Sequence, residues 1–167
     1  CKGSTVENCY RTMNIRSVYN LGGIVARISN ATNPNTSGTF NTDIDCTVSG
    51  CLAWGESITG TNIASETPAS HYSSGAVVGF STYLNTLSNC YRIPALAFSV
   101  YSIEAYNTLS DTPDCSPSAP LVHGPETYYC SYNGKAAAAG ATVSSVARTI
   151  GWDESVWNLD ESLPKLR

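Results

Sequence analysis

Charge is what this chain has least of: only 13% of its 167 residues are charged, nine basic against thirteen acidic, for a formal net charge of −4. With so few cations, no basic face is on offer to a phosphate backbone, which excludes nucleic acid as a natural partner. Long apolar runs are missing as well. None approaches the roughly 20 residues that a membrane-crossing helix needs. Lysine and glutamate, the residues that suit exposed helices, are scarce. Histidine occurs twice, as His71 and His123, far apart, and no Cys-x-x-Cys is present. The closest cysteines are Cys46 and Cys51, so no metal-ligand spacing is found and neither a metal nor a cofactor is expected. No positively charged stretch followed by an apolar one opens the chain, so any export signal is expected to have been removed. Cys1 reads as the lipidated start of a lipoprotein or as a fragment boundary. No flexible linker follows it, which favours the boundary.

What remains is rich in Ser, Thr, Asn and Gly, the surface chemistry of exported β proteins. The length suits one domain with a substantial core. Seven cysteines leave at least one outside any disulfide.

Repeats organise the chain. Glu7-Asn8-Cys9-Tyr10, Ser49-Gly50-Cys51-Leu52, Ser88-Asn89-Cys90-Tyr91 and Tyr128-Tyr129-Cys130-Ser131 recur at intervals of about 40 residues. A second element, a glycine-opened β-branched run, recurs as Leu21-Gly22-Gly23-Ile24-Val25-Ala26 and Ser74-Gly75-Ala76-Val77-Val78-Gly79. Its distance from the cysteine differs between copies, and an insertion around 60–70, rich in Thr, Ser, Ala and Pro, accounts for that. Short strands repeating at a near-constant period suit a coil whose turns pair with one another about 4.8 Å apart. Equivalent residues then stack. Cys9, Cys51, Cys90 and Cys130 are expected at equivalent positions as small apolar fillers, close enough to their neighbours to oxidise, with the Asn beside them bonding from turn to turn.

The expected fold is therefore all-β, a parallel β-solenoid. Residues 1–142 form the repeat region, with inserted loops near 30–45, 59–71 and 111–125, and residues 143–167 form a C-terminal capping segment. Leu96, Phe98 and Val100 alternate onto one face of a strand. Asp111 to Pro120, with three prolines, is a loop. Ala136 to Ala139, followed by Gly140, fits either a helical turn or a packed strand. Val143, Val146 and Ala147 have helical spacing, and Trp152 and Trp157 are expected to be buried against the final turn, plugging the open end of the core.

No residue set selects itself as catalytic. Glycoside hydrolysis needs paired carboxylates, but Asp43, Asp45, Glu56, Glu66, Glu104, Asp111, Asp114, Glu126, Asp153, Glu154, Asp160 and Glu161 fall mostly in loops and tail. Asp43-Ile44-Asp45 lacks the glycine and terminal glutamate of a calcium loop. His71 and His123 read as loop residues outside any nucleophile signature. Asn30 and Asn35 head glycosylation sequons by pattern.

Asn8-Cys9-Tyr10 with Gly22-Gly23-Ile24-Val25, and Gly75-Ala76-Val77-Val78-Gly79 with Asn89-Cys90-Tyr91, resemble the GLUG-motif repeats of large bacterial surface adhesins and immunoglobulin A1 peptidase-like exoproteins. The tail, with Ile150-Gly151-Trp152-Asp153, Val156-Trp157-Asn158 and Leu163-Pro164-Lys165-Leu166, is similar to the segment that closes such arrays. Ala26 departs from the motif at the final glycine of the first copy. The resemblance implies a right-handed parallel β-helix or related solenoid on the surface of a gut-associated, Bacteroidetes-like bacterium, joined to further domains of the same polypeptide. The expected function is non-catalytic: adhesion, or display of the loops Asn30–Asp45 and Glu56–Ser70 toward a host surface protein or glycan, with no enzyme activity. The alternatives are a carbohydrate-active β-helix enzyme fragment, lyase or hydrolase, and a passive spacer.

Overall fold

The computed structural model of the chain describes residues 4–17, 21–28, 46–60, 74–81, 86–100, 109, 121–123 and 127–167. Among them the protein is β-rich, with one short helix. The chain makes a first passage through β1 (Thr5–Glu7), β2 (Tyr10–Arg11), β3 (Ile15–Ser17), β4 (Leu21–Gly22) and β5 (Val25–Arg27). A second passage repeats it as β6 (Thr47–Ser49), β7 (Leu52–Ala53), β8 (Ser57–Gly60), β9 (Ser74–Gly75) and β10 (Val78–Ser81). A third runs through β11 (Thr86–Ser88), β12 (Tyr91–Arg92) and β13 (Ala97–Ser99). Then come β14 (Leu121–His123), β15 (Thr127–Tyr132), β16 (Lys135–Ala136), α1 (Val143–Thr149) and the antiparallel pair β17 (Trp157–Asn158) and β18 (Lys165–Leu166).

The passages pair strand for strand and in parallel, as β1-β6-β11, β2-β7-β12-β16, β3-β8-β13, β4-β9 and β5-β10. The two glycine-opened runs stack residue on residue, Leu21 on Ser74, Gly22 on Gly75 and Val25 on Val78, as their sequence similarity predicts. Both need glycine at that step. A Cβ on Gly22 would strike the Val25 carbonyl, and one on Gly75 the Val78 carbonyl. The insertion falls between β8 and β9, across 61–73, where the first passage has only 18–20.

The corner between the first two strands of each passage keeps constant length. Glu7, Ser49 and Ser88 stand in one row and Tyr10, Leu52 and Tyr91 in another, so Asn8, Gly50 and Asn89 form a column and Cys9, Cys51 and Cys90 the next. Asn8, Gly50 and Asn89 all adopt positive φ, 51°, 60° and 50°. This left-handed bend is why the position holds Asn or Gly and no branched residue. The expected asparagine ladder is interrupted, because Gly50 separates the two asparagines.

The fourth cysteine does not join the column. Cys130 lies on β15, which runs antiparallel to β10 with Cys130 opposite Ser81. Lys135 takes the place next to Tyr91, so Gly134 occupies the cysteine position. Gly134 sits at φ 67°, and a Cβ there would come within 2.8 Å of the Cys90 carbonyl oxygen. Near-equal spacing misled because β14 and β15 enter as a hairpin, so the fourth passage does not repeat the first three.

Other boundaries shift too. Thr59 and Gly60, expected in a loop, continue β8, and His123 is in β14 opposite Thr127. The third passage starts at Thr86, ahead of Asn89. Lys135–Ala136 form a strand, and Gly140 turns the chain at φ 77°.

The interior is built from small and branched side chains: Cys46, Val48, Cys51, Ala53, Val77, Val78 and Cys90 form one buried cluster, with Ile28 and Tyr132. Leu21, Ile58, Ala76, Leu96 and Val100 form another, with Phe98 packed against it. Period-two alternation sends Cys51 and Ala53 inward while Leu52, also fully buried, faces the third cluster with the C-terminal segment.

That segment is placed differently from expectation. It lies across the flank of the stack, against residues of all three passages. Leu52 of the second passage, with Tyr10 of the first and Tyr91 of the third packed alongside, meets Ala137, Val143, Val146, Ala147, Trp152 and Leu159. Trp152 is buried at 3% exposure, as expected, while Trp157 is half-buried. The Trp152 indole N–H donates to the Gly50 carbonyl at 2.9 Å, and the Tyr10 hydroxyl donates to the Pro164 carbonyl at 2.8 Å. The helix starts at Thr142, whose side chain accepts from the Ser145 amide while Ser145 reaches back to the Thr142 amide, a complete capping box.

Candidate functional site

The column Cys9-Cys51-Cys90 is the densest set of reactive side chains among the described residues. Each thiol donates to the carbonyl two residues before it, Cys9 to Glu7, Cys51 to Ser49 and Cys90 to Ser88, all at 3.2 Å. The left-handed bend at the intervening residue turns that carbonyl toward the sulfur. Cys51 also lies 3.6 Å from the Val6 carbonyl, and Cys90 3.8 Å from that of Val48, one passage back. Cys9 is exposed, while Cys51 and Cys90 are fully buried. The Cys51 thiol is pushed up, first by its hydrogen bond to Cys90 and then by burial, and Cys90 is pulled below the usual thiol range chiefly by that same bond. Burial raises Cys9. The Tyr132 hydroxyl, pushed up by burial, accepts from the Cys90 backbone N–H at 3.3 Å.

Arginine flanks the same column. Arg11, Ala53, Arg92 and Ala136 share a row, with small Ala53 between two long side chains. Arg92 is 6% exposed and donates to the Gly134 carbonyl at 2.6 Å; Arg11 donates to the Met13 carbonyl. Burial lowers the Arg11 pKa. A count of charges alone does not place these cations on one row. Their signal was the recurrence of the whole tetrad, Asn8-Cys9-Tyr10-Arg11 and Asn89-Cys90-Tyr91-Arg92, in which period two puts Arg on the cysteine side.

The acids do not converge. Arg148 bridges Glu154 at 3.2 Å and Asp160 at 3.4 Å, and Lys165 bridges Glu161 at 2.6 Å, all within the exposed tail. Such surface pairs add little stability. Glu56 is exposed just ahead of β8, and Glu7 on β1 accepts from the Ser49 hydroxyl at 3.1 Å. Among the described residues no three His, Cys, Asp or Glu side chains are placed to hold a metal. Asp43, Asp45, Glu66, Glu104, Asp111, Asp114, Glu126, His71, Cys1, Cys115, Asn30 and Asn35 lie outside the described residues.

The aromatic group on the flank is committed internally. Trp152 and Trp157 have ring centroids 4.8 Å apart, each 6.3 Å from Tyr10. With the Trp152 N–H and the Tyr10 hydroxyl already bonded to backbone, two polar handles that a ligand would need are occupied.

Length variation is uneven along the chain. The corners 8–9, 50–51 and 89–90 are identical in length, whereas the connections after β3, β8 and β13 run 18–20, 61–73 and 100–120, and those after β5 and β10 run 28–46 and 82–85. Among the described residues, no helix is long and apolar enough to cross a membrane. Compared with family models, curated proteins and solved structures, the chain matches none.

Proposed function

We propose that this chain is a parallel β-solenoid module of a secreted or cell-surface bacterial protein, related to the GLUG-repeat adhesins. In this reading it is non-catalytic and presents its inserted loops to a host surface protein or glycan. The observation that supports the reading is the uneven length variation just described: the corners at 8–9, 50–51 and 89–90 are constant beside a tail-covered flank, whereas the connections through 29–45, 61–73 and 101–120 are long. A stack held by backbone ladders tolerates insertions at its corners cheaply, since closing a longer loop costs little extra entropy. Loops on a rigid scaffold are where binding residues concentrate. The tail's ion pairs use its carboxylates within the tail, in keeping with a non-catalytic role.

The test replaces 29–45 and 61–73 with connections as short as 82–85 and 18–20, and probes both proteins against immobilised host glycans and extracellular-matrix proteins. Retention of the parent, lost in a shortened variant that melts like the parent, is the expected result. Equal retention of both, or of neither, points to a spacer. Turnover of a polysaccharide, abolished by replacing one carboxylate, overturns the non-catalytic reading.

A further inference from the structure

We propose that Cys9, Cys51 and Cys90 form a thiol–disulfide relay, in which a disulfide made at the exposed Cys9–Cys51 pair is handed inward to the buried Cys51–Cys90 pair. The column is in register, because the rows on either side of it, Glu7-Ser49-Ser88 and Tyr10-Leu52-Tyr91, are separated by the same two-residue corner in each passage. Adjacent strands lie about 4.8 Å apart, inside the Cα separation of roughly 4.4–6.8 Å that a disulfide spans. The three thiols follow one another along the column, each bonded to the carbonyl two residues before it, and accessibility is graded, Cys9 being exposed and the other two fully buried.

The chemistry balances with a low-molecular-weight disulfide such as oxidised glutathione as the oxidant. The Cys9 thiolate attacks it, forming a mixed disulfide and releasing one thiol. Cys51 then attacks the Cys9 sulfur, releasing the second thiol and giving Cys9–Cys51. Finally Cys90 attacks the Cys51 sulfur, the Cys9–Cys51 bond breaks, and Cys9 leaves as a thiolate that takes up a proton. Exchange of this kind proceeds with entering and leaving sulfurs in line through the sulfur attacked. Three sulfurs stacked along one column supply that line without rearranging the backbone. The third step returns Cys9 to its exposed thiol form, so the disulfide ends where small reductants do not reach.

The whole folded chain, reduced and then exposed to oxidised glutathione at about pH 8, is quenched with acid and an alkylating agent over time, and the linked peptides are mapped by mass spectrometry. Glutathionyl-Cys9 should appear first, Cys9–Cys51 second and Cys51–Cys90 last. Cys90→Ser should stop at Cys9–Cys51. Cys9→Ser, a change at an exposed position, should slow formation of Cys51–Cys90 by about tenfold or more. Cys51→Ala should leave glutathionyl-Cys9 as the end product, with a circular dichroism spectrum recorded to establish that the variant is folded. Formation of Cys51–Cys90 as fast in Cys9→Ser as in the parent overturns the relay. So does a parent in which neither pair links while Cys9 is fully glutathionylated.

Discussion

The interior of the stacked passages and the C-terminal flank are held by different means. Inside, Val48, Cys51, Ala53, Val77 and Cys90 are small, and their order comes from the parallel ladders that align them. On the flank, Trp152, Trp157, Tyr10 and Leu159 are large, and position comes from individual contacts: an indole N–H on Gly50, a phenol on Pro164, a capped helix of seven residues. A ladder lets any passage resemble the next, so it specifies spacing but not where the stack should be tied. The tail supplies that, because it touches residues of all three passages at once.

Truncating the tail's central ring is the severest way to test this contrast. Trp152→Ala should destabilise by about 3–5 kcal/mol through the cavity left among Leu52, Val146 and Leu159, and should also leave the Gly50 carbonyl without the indole donor. Thermal unfolding of this variant beside Ile58→Ala, itself worth about 2–5 kcal/mol in the interior, measures whether the flank matters as much as the stack. A Trp152→Ala protein melting like the parent breaks the comparison.

A finer probe is Tyr10→Phe. It keeps the ring against Trp152 and Trp157 and deletes only the hydroxyl bonded to Pro164, for an expected loss of about 1 kcal/mol in denaturant unfolding. Amide exchange sharpens it. Protection should fall at Lys165 and Leu166, next to the freed Pro164 carbonyl, and stay unchanged in β8 and β13 if the hydroxyl ties the tail and nothing else.

The smallest effect concerns acid. The side chain of Ser155, and then its backbone N–H, bonds the Asp153 carboxylate and holds it below the usual carboxylate range. A carboxyl whose folded pKa is depressed contributes stability above its unfolded pKa and loses it as pH falls through the folded value. Below about pH 4 the turn after Trp152 should therefore loosen slightly, and Asp153→Asn should remove that pH dependence without shifting the melting temperature at neutral pH appreciably. An unchanged acid profile in the variant would assign the loosening to the tail's other carboxylates, Glu154 and Asp160, on Arg148.

Much of the stack was legible because its rules are local. Asn8, Gly50 and Asn89 mark a left-handed bend that few residues tolerate, and Gly22 and Gly75 mark a step without room for a Cβ, so each copy carries the same signature. The helix at Val143–Thr149 was legible for the same reason, through its spacing. The interior arginines were overlooked because a charge count ignores which face a residue occupies. For the candidate thiol site, sequence named the three members but added Cys130, whose spacing fits and whose strand runs the other way.

The sequence by itself determined the repeat unit, the residues that must stack and the change of character at the tail, because backbone bends and side-chain alternation are decided within a few residues of chain. Only the tertiary structure decided that the fourth passage departs from the pattern, with Gly134 in place of a cysteine, and that the tail braces the flank. An end and a flank expose equally apolar surface. Which one Trp152 covers depends on the carbonyl of Gly50 and the ring of Tyr10, far from it along the chain, and spacing within the tail carries no record of them.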